Sequence, residues 1–180
     1  MVVTFTDAEM AAIKEAGRQR NQITTDLGVQ NQRIDEGTDE ELNIMGVKVE
    51  KAVAMLTGSP WSAVLDTPDG GVYDMILPDG RTCQVKGRKH VPPEIGWLFM
   101  KRLWPEADIV VLGQAVPEDV NSVEILGWVT REQFRERYHM FDFGRGMGPQ
   151  PAVFDHELNP IETLCELKVK PLGITAFWTG

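Results

Sequence analysis

Apolar residues recur at helical spacing in the first third of the chain and gather into short strand-like runs after it. Thr6-Asp7-Ala8-Glu9 is a capping box, so a helix starts at Asp7 and runs to about Gln19, with a second helical stretch near Leu27. Its apolar face is thin (Met10, Ile13, Ala16), which suits packing on a partner or a second subunit better than burial in a core. Thr38-Asp39-Glu40-Glu41 is a second capping box. It opens a helix whose stripe is Leu42, Met45, Val49, Val53 and Leu56 and which closes at Gly58. Ser62 to Leu65 reads as a short strand, Val72 to Leu77 and Arg81 to Lys86 as two more, and Ile109 to Leu112 as one buried on both faces. Val123 to Val129 is the next strand. Pro92-Pro93 precedes a predicted helix over residues 93–103 with Ile95, Leu98, Phe99 and Leu103. Thr130 caps another over residues 130–137, and a short helix starts at Pro160. This order implies an α/β (α+β) fold, with a mixed central sheet of about four or five strands flanked by helices.

Pro78-Asp79-Gly80 joins the two strands of a hairpin: Pro presets φ, Asp caps its own backbone, and Gly accepts positive φ. Asp74 lies four residues before this turn and Gln84 four after it, so the two stand roughly opposite each other. Gln84 and Lys86 share one face of their strand, while Cys83 and Val85 point the other way into a core. A carboxylate, a side-chain carbonyl and an amine so placed suit phosphodiester hydrolysis. That reaction wants a hard cation on oxygen ligands and a positive group beside the attacking water. Asp74, Gln84 and the Val85 carbonyl would be ligands, and Lys86 would position or activate the water. The plainer alternative makes Asp74 a turn cap, Gln84 a surface residue and Lys86 a solvated edge charge.

This pattern, Asp74 followed by Gln84-Val85-Lys86, resembles the PD-(D/E)XK nuclease superfamily in its Q-x-K form. The family also carries an acidic residue on the preceding helix, and Gly46-Val47-Lys48-Val49-Glu50-Lys51-Ala52 matches that setting at Glu50. Ala107 to Leu112 and Gly127 to Thr130 fit its later strand and strand-to-helix step, so the resemblance spans residues 40 to 138. It implies a restriction-endonuclease-like core and a DNA nuclease dependent on Mg²⁺ (or Mn²⁺). The metal ligands would be Asp74, Gln84, Val85 and Glu50, and the host a phage or bacterial cytoplasm. Many relatives act as dimers. Gln84 stands where Glu or Asp is usual, which removes one negative charge from the site. A non-catalytic nucleic-acid- or protein-binding module on the same scaffold is therefore the alternative, and an interaction protein using its Gln-rich first helix is a third.

Glu50 lies beside the apolar stripe of its helix, where a carboxylate needs a partner: a metal-bound water, or Lys48 or Lys51. Asp155, Glu166 and Lys168 form a rival D…E-x-K set, but the helix predicted from Pro160 interrupts the two-strand geometry that the chemistry needs.

Charge adds a contrast. The chain carries −9 overall, which argues against general nucleic-acid affinity, and residues 1–58 hold 10 acids against 6 bases. Residues 81–102 reverse this, with 6 bases and the single acid Glu94. Arg88, Lys89, Lys101 and Arg102 would meet backbone phosphates there, in a basic loop that follows the strand at Gly87; a solvated surface loop is the other reading. Trp97 and Trp104 on the predicted helix suit core packing, with base stacking as the alternative. The Gly-Arg-Gly-Met-Gly-Pro-Gln-Pro stretch at 144–151 reads as a connector.

At 180 residues the chain is long enough for one domain: an N-terminal helical arm at 1–37, a nuclease-like core at 38–138 and a C-terminal extension at 139–180. No apolar run reaches the roughly 20 residues of a membrane span, and the N-terminus lacks the basic and apolar regions of a signal peptide. Cys83 and Cys165 read as reduced core residues of an intracellular protein, and the three histidines lack zinc spacing.

Overall fold

The computed structural model describes residues 1–26, 28, 38–61, 73–90, 96–99, 105–142 and 148–166. Its centre is a five-stranded mixed sheet of β1 (Val2–Thr4), β6 (Asp119–Thr130), β5 (Ile109–Val116), β3 (Thr82–Arg88) and β2 (Met75–Ile76), in that order. β3 and β5 are parallel, with Cys83 opposite Ile109 and Gly87 opposite Gly113. The other pairings are antiparallel. β5 lies between two neighbours, and its first six residues are buried. That accounts for an apolar run with no alternation.

The two faces of the sheet carry separate cores. On one, Cys83, Val85, Ile109, Val111, Val123 and Ile125 pack against α1 (Asp7–Asp26), α2 (Asp39–Thr57) and α4 (Ile161–Glu166). On the other, Val110, Leu112 and Val129 pack against Phe134 of α3 (Arg131–Arg137) and against Leu98 and Val153. Leu98 and Val153 belong to a second, three-stranded sheet with the order β4 (Trp97–Phe99), β8 (Gln150–Phe154), β7 (His139–Phe141).

Both strong caps hold. Thr38 Oγ1 accepts from the Glu41 amide, Glu41 returns to the Thr38 amide, and α2 ends at Gly58 with φ of 72°. Thr130 and Gln133 do the same for α3. α1 opens at its Thr6–Glu9 box but runs unbroken to Asp26, past the expected end at Gln19.

Three expectations are corrected. The predicted helix at 93–103 contains β4, antiparallel to β8 with Leu98 opposite Val153. A short apolar run at mixed spacing suits either element, and a partner strand 55 positions later in sequence decides it. The face Met10, Ile13, Ala16 is buried in the core of this same chain. Finally, the segment before α1 forms β1, whose pairing with β6 builds the N-terminus into the sheet. The expected strand at 62–65, Trp104 and the first half of the Gly/Pro connector lie outside the described residues. No helix among the described residues is long and apolar enough to cross a membrane.

Candidate active site

Two glycines set the position of α2. Gly87 and Gly113 face each other across β3 and β5. A Cβ on Gly113 would lie 2.6 Å from Val49 Cγ1, and one on Gly87 would lie 3.1 Å from Val49 Cγ2. Val49 therefore sits in a notch that only bare backbone can provide, and the next residue, Glu50, is held at the level of the sheet. Glu50 is 6% exposed.

The hairpin delivers the second carboxylate. Its turn closes by hydrogen bonds from Leu77 N to Arg81 O and from Gly80 N to Leu77 O, with Gly80 at φ of 89°. Pairing of Met75 with Cys83 leaves Asp74 opposite Gln84. Asp74 N donates to Cys83 O at 2.9 Å, and Val85 N donates to Asp74 Oδ2 at 2.6 Å. Val85 thus meets the site through its amide, and the aspartate is clamped across the strand as expected of a hairpin pair. Lys86, two residues beyond Gln84, is half-buried and close enough to act electrostatically on both Glu50 and Asp74.

Burial pushes the Glu50 carboxyl above its usual range, and the neighbouring Asp74 charge adds to this, against the pull of Arg20 and Lys86. Burial raises Asp74 as well, opposed by the Val85 amide and by the Lys86 and Arg20 charges. Asp74 and Glu50 therefore strain against sharing one site without further positive charge. Cys83, buried behind them, has its thiol raised by burial and then by Asp74. It is inert packing.

The partner of Glu50 is Arg20. Its Nη1 and Nη2 donate to the two Glu50 oxygens at 2.6 Å each, and it is only 7% exposed. Neither lysine expected to serve does so. Lys48 donates instead to the Val120 and Ser122 carbonyls, and Lys51 lies over the Trp61 ring, 4.3 Å from its centroid. The signal for Arg20 is faint but present: Met10, Ile13, Gly17 and Arg20 form one helical stripe, all buried. Gly17 allows close approach, since a Cβ there would lie 2.7 Å from Ile44 Cα.

The basic run behaves differently from expectation. Arg88 still lies within β3, and the residue is 9% exposed. Nη1 and Nη2 donate to Asp155 at 3.0 and 2.5 Å, and Nε and Nη2 donate to Gln114 Oε1 at 3.3 and 3.0 Å. The strand's alternation turns Arg88 inward, which removes it from any surface that meets phosphates. Lys89 is exposed, while Lys101 and Arg102 lie outside the described residues. The rival set is also dispersed. Asp155 is committed to Arg88, Glu166 ends α4, and Lys168 lies outside the described residues.

Glu50, Asp74, Lys86 and Arg20 therefore form one cluster, with Gln84 beside Asp74. Among the described residues no group of three His, Cys, Asp or Glu side chains that could hold a metal ion comes together. No protein-family model matches the chain, and no curated protein matches it.

Proposed function

We propose that the protein hydrolyses phosphodiester bonds in DNA with the help of a divalent cation, Mg²⁺ or Mn²⁺. The carrying observation is the convergence of Glu50 and Asp74, both raised by burial, with the Lys86 ammonium beside them. The donor set fits a hard cation: Asp74 and Gln84 offer oxygens, and Glu50 offers more once Arg20 is displaced. Such a cation, when bound, neutralises phosphate oxygens and makes a neighbouring water more acidic.

The chain's own residues do the positioning. The Val85 amide fixes Asp74, and the notch at Gly87 and Gly113 fixes α2 and so Glu50. Lys86 orients the attacking water and offsets charge that develops on the phosphate. The water oxygen bonds to phosphorus as one P–O ester bond breaks, leaving a phosphomonoester and a free hydroxyl. DNA as the substrate follows from the resemblance to PD-(D/E)XK nucleases. Lys89 remains a candidate phosphate contact, and Arg88 does not.

A second reading, a non-catalytic binding module, is favoured by one observation: Arg20 already occupies both oxygens of Glu50. The experiment that separates them is cleavage of linear, circular and single-stranded DNA with Mg²⁺ or Mn²⁺. The nuclease reading expects chelator to abolish cleavage, and Asp74→Ala and Lys86→Ala each to lower it by about a hundredfold or more. Salt-sensitive DNA binding with no cleavage would favour the binding module.

A further inference from the structure

Arg20 and Glu50 hold each other through a symmetric fork, so each Glu50 oxygen already accepts a guanidinium N–H, and a cation bound to Glu50 would lie against that positive charge. The cluster also sets two acids, Glu50 and Asp74, against two bases, Arg20 and Lys86. A divalent ion entering it would meet two resident positive charges. One further feature sets Arg20 apart: its buried Nε–H has no hydrogen-bond partner in the structure as described. A guanidinium placed solely to staple two helices is expected to have its donors satisfied, as those of Arg88 are.

We infer that Arg20 is a resident cation at Glu50, and that a divalent metal gains Glu50 as a ligand only by exchanging with the guanidinium. The inference rests on the metal-site reading above. Its physical basis is that the fork places a full positive charge against both Glu50 oxygens, and that like charges a few ångströms apart inside a protein repel appreciably. The consequences are specific. The protein without metal keeps a folded site. Its affinity for a divalent cation alone is weak, because binding must include the displacement of Arg20. Arg20 is thus a positioning residue that sets metal affinity.

The test is calorimetric titration of the full chain with Mn²⁺, alongside thermal unfolding with and without Mn²⁺. It compares wild type with Arg20→Gln, Arg20→Lys and the double variant Arg20→Gln/Glu50→Gln. Removing the resident charge is expected to tighten Mn²⁺ binding by about tenfold or more. It is also expected to enlarge the rise in unfolding temperature at equal Mn²⁺, because only the folded state binds the ion. Arg20→Lys, which keeps the charge but loses the fork, should fall between. The double variant should lose the gain, since the freed carboxylate is gone. Should Arg20→Gln fold only when Mn²⁺ is present, that also supports the exchange. Mn²⁺ affinity unchanged from wild type in Arg20→Gln overturns it, as does unchanged affinity in Arg20→Lys if the glutamine variant yields no folded protein with or without Mn²⁺. If wild type cleaves DNA but affinity is unchanged, the inference alone fails. If no variant binds Mn²⁺ and nothing is cleaved, the metal-site reading fails and takes the inference with it.

Discussion

Among the described residues, two buried arginine–carboxylate pairs are built differently. Arg88 and Asp155 tie β3 of the large sheet to the turn that follows β8 of the small one. Every nitrogen of Arg88 has a partner, and Gln114, which accepts from it, donates onward to Glu124 at 3.0 Å. Arg20 and Glu50 tie α1 to α2 with two bonds of 2.6 Å each. Yet that pair leaves Arg20 Nε without a partner among the described residues and places Glu50 beside a second carboxylate. The first is a closed network of the kind that specifies a fold. The second carries local conflict, with two acids buried in one place, and it is on that conflict that the proposed function rests.

The contrast can be broken most forcefully at the closed pair. Asp155→Ala should leave a buried guanidinium uncompensated and cost about 3–5 kcal/mol in urea unfolding. Replacing both partners, Arg88→Met with Asp155→Leu, should restore most of that, because the pair's worth lies largely in mutual compensation. A double variant as unstable as the single one would mean that Gln114 and the second sheet depend on the charges themselves.

A smaller effect is expected where the helices meet. Gly17→Ala gains roughly 1 kcal/mol of helix propensity but drives a methyl against the Ile44 backbone, with Cα at 2.7 Å and N at 2.9 Å. Backbone cannot yield as a flexible side chain does. Overpacking at about 1–3 kcal/mol therefore wins, and the net is a modest destabilisation, measurable by urea unfolding. The same variant should change Mn²⁺ affinity, because it shifts Arg20 relative to Glu50. A stability loss with wild-type Mn²⁺ binding would separate the helix contact from the site.

The smallest effect is a pH slope. Asp74 has a raised carboxyl in the folded chain, so the folded state retains a proton that the unfolded state has released. Stability from this group is present below the unfolded carboxylate range, near pH 4, and is lost as pH rises through the folded value. Asp74→Asn, a fixed mimic of the protonated form, should therefore gain stability relative to wild type between about pH 4 and 7. Parallel urea curves across that range check this. A wild type that gains on the variant with rising pH would mean that Arg20, Lys86 and the Val85 amide outweigh burial.

What was legible in the sequence is what short-range chemistry specifies. The capping boxes at Thr38 and Thr130, the Pro78-Asp79-Gly80 turn, the doubly buried run of β5 and the short helix at Ile161 each depend on neighbours within a few positions. The opposition of Asp74 and Gln84 followed from turn length and strand alternation alone. The match of Glu50 to a helix position of a known nuclease pattern placed it near them. The strand at 97–99 was illegible because its partner lies some 55 positions away, and Arg88 was misread because a run of bases looks the same whether a strand turns it inward or outward.

Arg20 shows the division most clearly. The sequence by itself determined that α1 would have a thin stripe and that Glu50 would need a compensating charge. Only the tertiary structure decided that the charge comes from 30 positions upstream, rather than from the adjacent Lys48 or Lys51. A buried carboxylate takes the cation that can reach it from inside the core. Lys48 and Lys51 sit close in sequence, but the helix turns them toward the Val120 and Ser122 carbonyls and the Trp61 ring. Arg20 reaches Glu50 because Gly17 brings the two helices close enough for it to do so.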